Sequence, residues 1–154
     1  SFYPLKYQND IGIARKLAEY LEILVLSSNW TFDIIVPIPL SAQRLEERGY
    51  NQASRLAKPL AALLEKPYRP DALIRIKEIS SQVGLDRRSR LENVNNAFRA
   101  NPKTAKGKSI LLVDDVFTTG ATLESAASEL KMAGAQKIYA LTLAKTSRFV
   151  KNFE

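Results

Sequence analysis

The sequence predicts an α/β fold in which a parallel sheet is flanked by helices. Apolar runs typical of buried strands alternate with segments of helical spacing along the 154 residues. Residues 110–113 are apolar at every position, as in a strand covered on both faces, and helical spacing resumes at Leu123. This alternation predicts crossover helices on the faces of one sheet, with ligand sites at the carboxyl ends of its strands.

The chain begins with a predicted helix and strand. Residues 11–26 have the apolar spacing of an amphipathic helix, with Asn9 or Asp10 near its N-cap. Residues 33–38 read as a short buried strand that stops at a proline.

A second helical region and a weaker strand follow. Residues 44–64 are mostly helical, but Pro59 lacks a backbone donor and is expected to break or kink the helix near Ala57. Residues 72–76 are a candidate strand. Residues 77–99 are polar and without periodicity, which predicts a long loop of the kind that is usually functional or disordered.

The last predicted helix and strand close the fold. The helix that passes through Leu123 is expected to end at Gly134 as its C-cap. Residues 137–144 are the last clear strand, and the tail after Lys145 is only weakly determined.

The composition indicates a single domain, residues 1–154, that works without thiol or imidazole chemistry. The chain has 45% hydrophobic residues, no cysteine and no histidine, which excludes disulfides, thiol nucleophiles and serine–histidine triads. Its net charge of +7 favours anionic partners, although a solvated basic surface is the alternative. No apolar run is long enough for a bilayer and no secretory leader is visible, so we expect a cytoplasmic protein without membrane insertion. Because the chain starts at Ser1, a preceding segment remains open.

Two acids and a hydroxyl-rich turn follow the strand at residues 110–113. Asp114 and Asp115 suit the hydroxyls of a sugar, and the next helix begins in a turn whose free N–H groups suit a phosphate. The turn is formed by Thr118, Thr119, Gly120, Ala121 and Thr122. This arrangement predicts a ribose 5-phosphate cradle, and the alternative is an ordinary crossover whose threonines only cap the helix.

A second segment with candidate ligand-binding residues follows the predicted strand at residues 33–38. It contains Pro37, Ile38, Pro39 and Leu40, and then Arg44, Arg48, Asn51 and Gln52. Arginine offers paired donors to phosphate oxygens, and the alternative is that both arginines are solvated on a helix face. Gly49 would weaken a helix without structural benefit, which favours a binding role for this segment. Both segments are expected to face one cleft.

The acids and the Thr-Thr-Gly-Ala-Thr turn resemble the phosphoribosyl-pyrophosphate (PRPP) signature of the type I phosphoribosyltransferases. Within them, the chain resembles the competence-protein F (ComF/GntX) branch, in the segments 6–7, 36–40, 48–52, 82–85, 90–93, 97–98 and 113–122. The resemblance implies a Rossmann-like core over about residues 31–146, a small N-terminal hood over about 1–30, and a flexible loop over 77–100. Many members carry a cysteine-rich zinc-binding segment, which this chain lacks.

The resemblance also implies a ligand, Mg²⁺-PRPP, and roles for particular residues. Asp114 and Asp115 would hold the ribose and lie near the Mg²⁺, the Thr118–Thr122 turn would bind the 5-phosphate, and the loop after residue 36 with Arg44 would take the leaving pyrophosphate. Arg90 would join the catalytic groups. Gln82, Arg87 and Asn93 would belong to a lid over the site, or else to a disordered basic linker.

Three functions follow as hypotheses. The first is transfer of the phosphoribosyl group to a nitrogen acceptor, whose identity is unknown, with release of pyrophosphate, linked to DNA uptake or nucleotide-related metabolism. The second is a non-catalytic PRPP or nucleotide sensor acting on DNA-uptake machinery. The third is single-stranded DNA binding through basic residues and aromatic platforms, with Phe2, Tyr3, Tyr7, Trp30 and Tyr50 as candidates. A homodimer is left open.

Overall fold

The structure, a computed structural model, describes the backbone of residues 3–76, 97–115, 120–144 and 147–153 and the side chains of residues 11–76, 97–115 and 120–142. The helices are α1 (Tyr3–Leu26), α2 (Ala42–Arg48), α3 (Gln52–Leu64), α4 (Pro102–Ala105) and α5 (Gly120–Met132). The strands are β1 (Ile34–Pro37), β2 (Leu73–Arg75), β3 (Phe98–Ala100), β4 (Ser109–Asp114), β5 (Lys137–Ala144) and β6 (Ser147–Phe153).

The main sheet has the order β1-β4-β5-β6. β1, β4 and β5 are parallel, with Val36 opposite Leu112 and Asp114 opposite Thr142. β6 pairs with β5 in the antiparallel sense. The predicted parallel sheet is therefore confirmed, and the tail that the sequence determined only weakly contributes its antiparallel edge strand.

A second, two-stranded sheet joins β2 to β3 in the antiparallel sense. Residues 98–100 thus form a strand where the sequence predicted the end of a loop. A three-residue strand gives no readable periodicity, and its partner lies far away along the chain. Residues 77–96 of the predicted loop lie outside the described residues.

Helices cover both faces of the main sheet, as predicted for a buried parallel sheet. α5 packs on one face through its apolar side chains, which include Leu123, Ala127 and Leu130, against alternate strand residues such as Leu112. α1 and α3 pack on the other face against the intervening strand residues, such as Leu111. β4 therefore lies between two apolar layers and is fully buried from Ile110 to Val113.

α1 is longer than the sequence predicted. It begins at Tyr3, so Asn9 and Asp10 lie within the helix and neither caps it. The described helices include none that is both long and apolar enough to cross a bilayer.

The helical region 44–64 breaks at a different place from the one predicted. α2 ends at Gly49, whose φ of 81° and N–H bond to the Leu45 carbonyl oxygen form a left-handed cap. Gly49 therefore has a structural use, contrary to the sequence interpretation. α3 continues through Pro59 and buries Leu56 and Leu60 on one face. The missing hydrogen bond at the proline costs less free energy than exposing these two side chains to water would cost.

Candidate functional site

The sheet brings the two predicted segments together. Pro37 at the end of β1 lies opposite Val113 at the end of β4, and the Ile38 N–H donates to the Val113 carbonyl oxygen at 2.8 Å. Neighbouring parallel strands end at the same edge, so the chain leaves β1 and β4 side by side. The structure therefore brings the ends of β1 and β4 to one edge of the sheet, and the prediction that both segments face one cleft stays a prediction.

The two acids are buried at this edge. Asp114 is 1% exposed, and one of its carboxylate oxygens accepts a hydrogen bond from the Asp115 N–H at 2.8 Å. Asp115 is 8% exposed, and its carbonyl oxygen accepts from the Thr142 hydroxyl on β5 at 2.7 Å. Burial of a charge is costly unless partners are supplied, so adjacent carboxylates held in this way suit a cation or donor hydroxyls.

Arg48 connects the two segments across the edge. Its Nη1 lies 3.9 Å from Oδ2 of Asp115, and its side chain is 31% exposed. This distance is too long for a hydrogen bond, so the pair is a loose electrostatic contact. Arg44 is exposed on α2, and its backbone N–H donates to the Ser41 hydroxyl at 3.2 Å. The structure thus brings Arg48 into contact with Asp115, whereas the proposed contact of Arg44 with the ligand stays a prediction.

The loop after β1 has few backbone N–H groups that could bind a diphosphate. Pro37 and Pro39 have no N–H, and the Ile38 N–H is used in the sheet. Pro37 and Ile38 are also buried, whereas Pro39 and Leu40 are half-buried. Neither Pro37 nor Ile38 offers a free N–H or an exposed side chain, so their predicted contact with the ligand stays a prediction, and the candidate N–H donors are those of Leu40 and Ser41.

Asn51 holds this loop to α3. Its side-chain oxygen accepts from the N–H groups of Ala53 and Ser54, at 2.9 and 3.3 Å, and its Nδ2 donates to the Ile38 carbonyl oxygen at 3.0 Å. Gln52, half-buried, lies 3.5 Å from the Tyr50 hydroxyl through its Nε2. Asn51 is therefore a positioning residue for the loop, and the sequence prediction of direct ligand contact by Asn51 and Gln52 stays a prediction.

The described part of the phosphate turn is the first turn of α5. Gly120 and Ala121 are exposed, whereas Thr122 is 5% exposed. A Cβ placed on Gly120 would meet no atom of the described residues within 4 Å. Thr118 and Thr119 lie outside the described residues, as do Gln82, Arg87, Arg90 and Asn93.

The donor set fits Mg²⁺ only together with a ligand. Among the residues that the structure describes there is no group of three or more acidic or histidine side chains that could hold a metal. Asp114 and Asp115 offer hard oxygen ligands, and Mg²⁺ is commonly held by one or two carboxylates with phosphate oxygens and water completing its shell. The residues therefore fit a metal that arrives with a diphosphate.

Sequence reasoning missed two residues that support the site. Thr142 fixes the backbone of Asp115 from the neighbouring strand, and the Ser41 hydroxyl caps α2 directly after the first loop. The only sequence signal for Thr142 is a hydroxyl residue near the end of a predicted parallel strand. Ser41 stands three residues before Arg44, which is typical spacing for an N-cap.

The aromatic residues proposed as stacking platforms are engaged within the fold where they are described. The Trp30 ring stacks on Tyr139 with a centroid distance of 4.7 Å. The Arg55 guanidinium lies 3.6 Å from the centroid of the Tyr50 ring. Side chains of Phe2, Tyr3 and Tyr7 lie outside those described.

Comparison with known proteins establishes the class. Residues 6–151 match the family described as "Phosphoribosyl transferase domain". The chain therefore belongs to the phosphoribosyl transferase domain family, and the α/β fold, the parallel sheet with flanking helices, is the type I phosphoribosyltransferase fold that the sequence resemblance implied.

The relatives agree with the branch that the sequence motifs indicated. The chain is 34% identical to "Competence protein F" of Haemophilus influenzae over 147 residues, which is 91% of this chain and 64% of that protein. It is 33% identical to "DNA utilization protein YhgH" of Escherichia coli K12, over 94% of this chain and 65% of the relative. It is 37% identical to "Competence protein ComFC" of Bacillus subtilis, over 73% and 45% respectively. The chain thus spans at most about two thirds of these relatives.

Solved structures share the fold at low sequence identity. The glutamine PRPP amidotransferase of B. subtilis, complexed with ADP and GMP, superposes with a TM-score of 0.57 at 20% identity, covering 84% of this chain and 26% of that one. The allosteric regulatory enzyme of purine biosynthesis gives a TM-score of 0.54 at 22% identity, covering 84% and 25%. These similarities establish the fold alone.

Proposed function

We propose that this chain binds PRPP with Mg²⁺ at the carboxyl ends of β1 and β4 and transfers its phosphoribosyl group to a nitrogen acceptor, releasing pyrophosphate. The observation that carries the proposal is the juxtaposition of the buried Asp114–Asp115 pair with Arg48 and the open first turn of α5. Acids for a sugar, a cation for a diphosphate and free N–H groups for a phosphate then lie around one edge of the sheet.

The proposed roles follow from position. Asp114 and Asp115 bind the ribose hydroxyls and offset the positive charge that develops as the bond to pyrophosphate breaks. The N–H groups at the start of α5 bind the 5-phosphate, together with Thr118 and Thr119. Arg48 and the N–H groups of Leu40 and Ser41 bind the diphosphate, and Arg44 and Arg90 add charge to it.

Asp114 and Asp115 would hold magnesium together with the diphosphate. When bound, it would neutralise the pyrophosphate as a leaving group. The chain's own contribution is mainly positioning and electrostatics, and this chemistry does not require histidine.

The names of the relatives support a biological setting in DNA uptake or DNA utilization. They are equally compatible with a sensor that binds PRPP without reacting and passes the signal to the uptake machinery. Pyrophosphate release in the presence of an acceptor separates the two, because a sensor binds PRPP and releases none. Single-stranded DNA binding is the third candidate, favoured by the net charge of +7, and it would weaken steeply with salt and ignore PRPP.

The test is a pyrophosphate-release assay over a panel of purine, pyrimidine and amine acceptors, with the wild-type chain and Asp115→Asn. We expect release with at least one acceptor, and its loss in the variant. PRPP binding without release from any acceptor would replace transfer by sensing. Absence of PRPP binding would overturn the proposed function in both forms.

A further inference from the structure

A pocket lies between α1 and α3. Its volume is about 670 Å³, within the range of small-molecule sites. Ile11, Ala14, Pro59, Ala62 and Leu63 form most of its apolar surface. Tyr50 and Asn51 line it too, and Asn51 also bonds to the Ile38 carbonyl oxygen, so the pocket adjoins the candidate PRPP site without including the acids.

The charged residues of this pocket all have the same sign. Arg15, Arg55 and Lys58 line it, and no acidic residue is among its described lining residues. The Arg55 guanidinium lies 3.6 Å from the centroid of the Tyr50 ring, whereas Lys58 and Arg15 are exposed. Among the side chains that the structure describes, none forms an ion pair with Lys58 or Arg15.

Apolar walls with cations on the rim select an amphipathic anion. A small hydrophilic anion would gain little from the alanine, proline and leucine surface, and an uncharged apolar molecule would gain nothing from the cations. The Tyr50 hydroxyl, Asn51 and the Ser54 hydroxyl add a few polar groups that could orient the ligand.

We propose that the α1–α3 pocket is a second ligand site, for an organic anion with an aromatic or aliphatic body. The proposal is independent of PRPP chemistry. It requires only that the pocket bind an apolar body and that Lys58 and Arg15 bind the anionic group.

The test uses two matched fluorescent probes without PRPP: the anion 1-anilinonaphthalene-8-sulfonate and its uncharged analogue N-phenyl-1-naphthylamine. We expect one saturable site for the anion, with weaker binding of the neutral probe. Lys58→Glu should weaken the anion by about tenfold, as expected for a reversed charge at a partly desolvated contact, and leave the neutral probe unchanged. Ala62→Trp, at an exposed position in the pocket wall, should weaken both probes because the indole fills the pocket.

Lys103→Glu, on α4 and away from the pocket, is the matched charge control and should change neither titration. Thermal unfolding of each variant separates loss of a site from loss of the fold. Equal anion binding by wild type, Lys58→Glu and Ala62→Trp would overturn the proposal, as would binding of the neutral probe as tight as that of the anion. Because these titrations omit PRPP, their outcome is separate from that of the proposed function.

Discussion

Replacing Gly120 by alanine should stabilise the chain and weaken its binding of PRPP. Gly120 is the first residue of α5, its φ is not in the left-handed region, and a Cβ there would meet no atom of the described part of the chain within 4 Å. Alanine loses less backbone freedom on folding, so we expect a gain of about 0.5 kcal/mol and a rise in Tm of about 1–2 °C.

The same methyl group should obstruct the ligand. If the open space beside Gly120 is where the 5-phosphate approaches the backbone, the methyl group prevents close contact with the N–H groups of the turn. We expect the Kd for PRPP to rise about tenfold, equivalent to about 1.4 kcal/mol. Thermal unfolding and calorimetric titration of the same preparation measure both effects.

Two other glycines provide matched controls. Gly12 lies inside α1, and an added Cβ would meet no atom within 4 Å among the residues that the structure describes, so Gly12→Ala should stabilise by about 0.5–1 kcal/mol and leave PRPP binding unchanged. Gly134 has a φ of 101°, and an added Cβ would lie 3.0 Å from Cγ of Lys106. Gly134→Ala should therefore destabilise by about 1–2 kcal/mol. An unchanged PRPP affinity in a folded Gly120→Ala variant would refute the placement of the phosphate.

Three more predictions concern the acids, the loop after β1 and the dependence of stability on pH below about 4. Asp115→Asn should weaken Mg²⁺-dependent PRPP binding by about tenfold or more and change Tm little. The Asp115 carbonyl oxygen still accepts the hydrogen bond from Thr142 on β5, and the 3.9 Å contact with Arg48 is loose. A large fall in Tm would instead show that the role of Asp115 is structural. Asn51→Ala should lower the free energy of unfolding in urea by about 1–2 kcal/mol, since it removes two hydrogen bonds at the start of α3 and the bond to Ile38. A decrease of less than half that amount would contradict the positioning role. Hydrogen bonds from Arg69 lower the pKa of Asp71 from 3.8 to about 2, so its contribution is complete above about pH 4 and is lost as pH falls toward 2. The pair is exposed and the effect small, and unfolding of Asp71→Asn should show a flatter slope in that window than wild type.

The sequence predicted β4 and the position of the acids at its end because the physical signals for them are local. A run of consecutive apolar residues can only be accommodated between two layers, and β4 is buried from Ile110 to Val113. The acids that follow mark the end of the strand, and the glycine in the next turn marks the start of α5. Parallel strands then bring Asp115 and the first loop to one edge without further information.

The remaining features depend on contacts that are distant along the chain. β3 exists because Phe98 to Ala100 pair with Leu73 to Arg75, and β6 exists because it completes the edge of β5. The sequence assigned the break in the second helical region to Pro59, whereas Gly49 and Asn51 make it through caps. A proline removes one backbone hydrogen bond from a helix, and burial of the apolar face of that helix readily offsets this loss. Such burial cannot be read from the local sequence.

The sequence also could not show which backbone N–H groups of the loop after β1 are free to bind a ligand. Ile38 would be a backbone donor in an isolated loop, but pairing with Val113 uses its N–H. Only the register of β1 on β4 reveals this, and it leaves the N–H groups of Leu40 and Ser41 as the proposed donors to the diphosphate.

The most direct test of the central claim is a calorimetric titration of PRPP into the chain at moderate salt, with and without Mg²⁺. We predict saturable binding of one PRPP per chain that requires Mg²⁺ and is lost or strongly weakened in Asp115→Asn. Absence of binding in both conditions, from a chain whose unfolding transition shows it to be folded, would contradict the account.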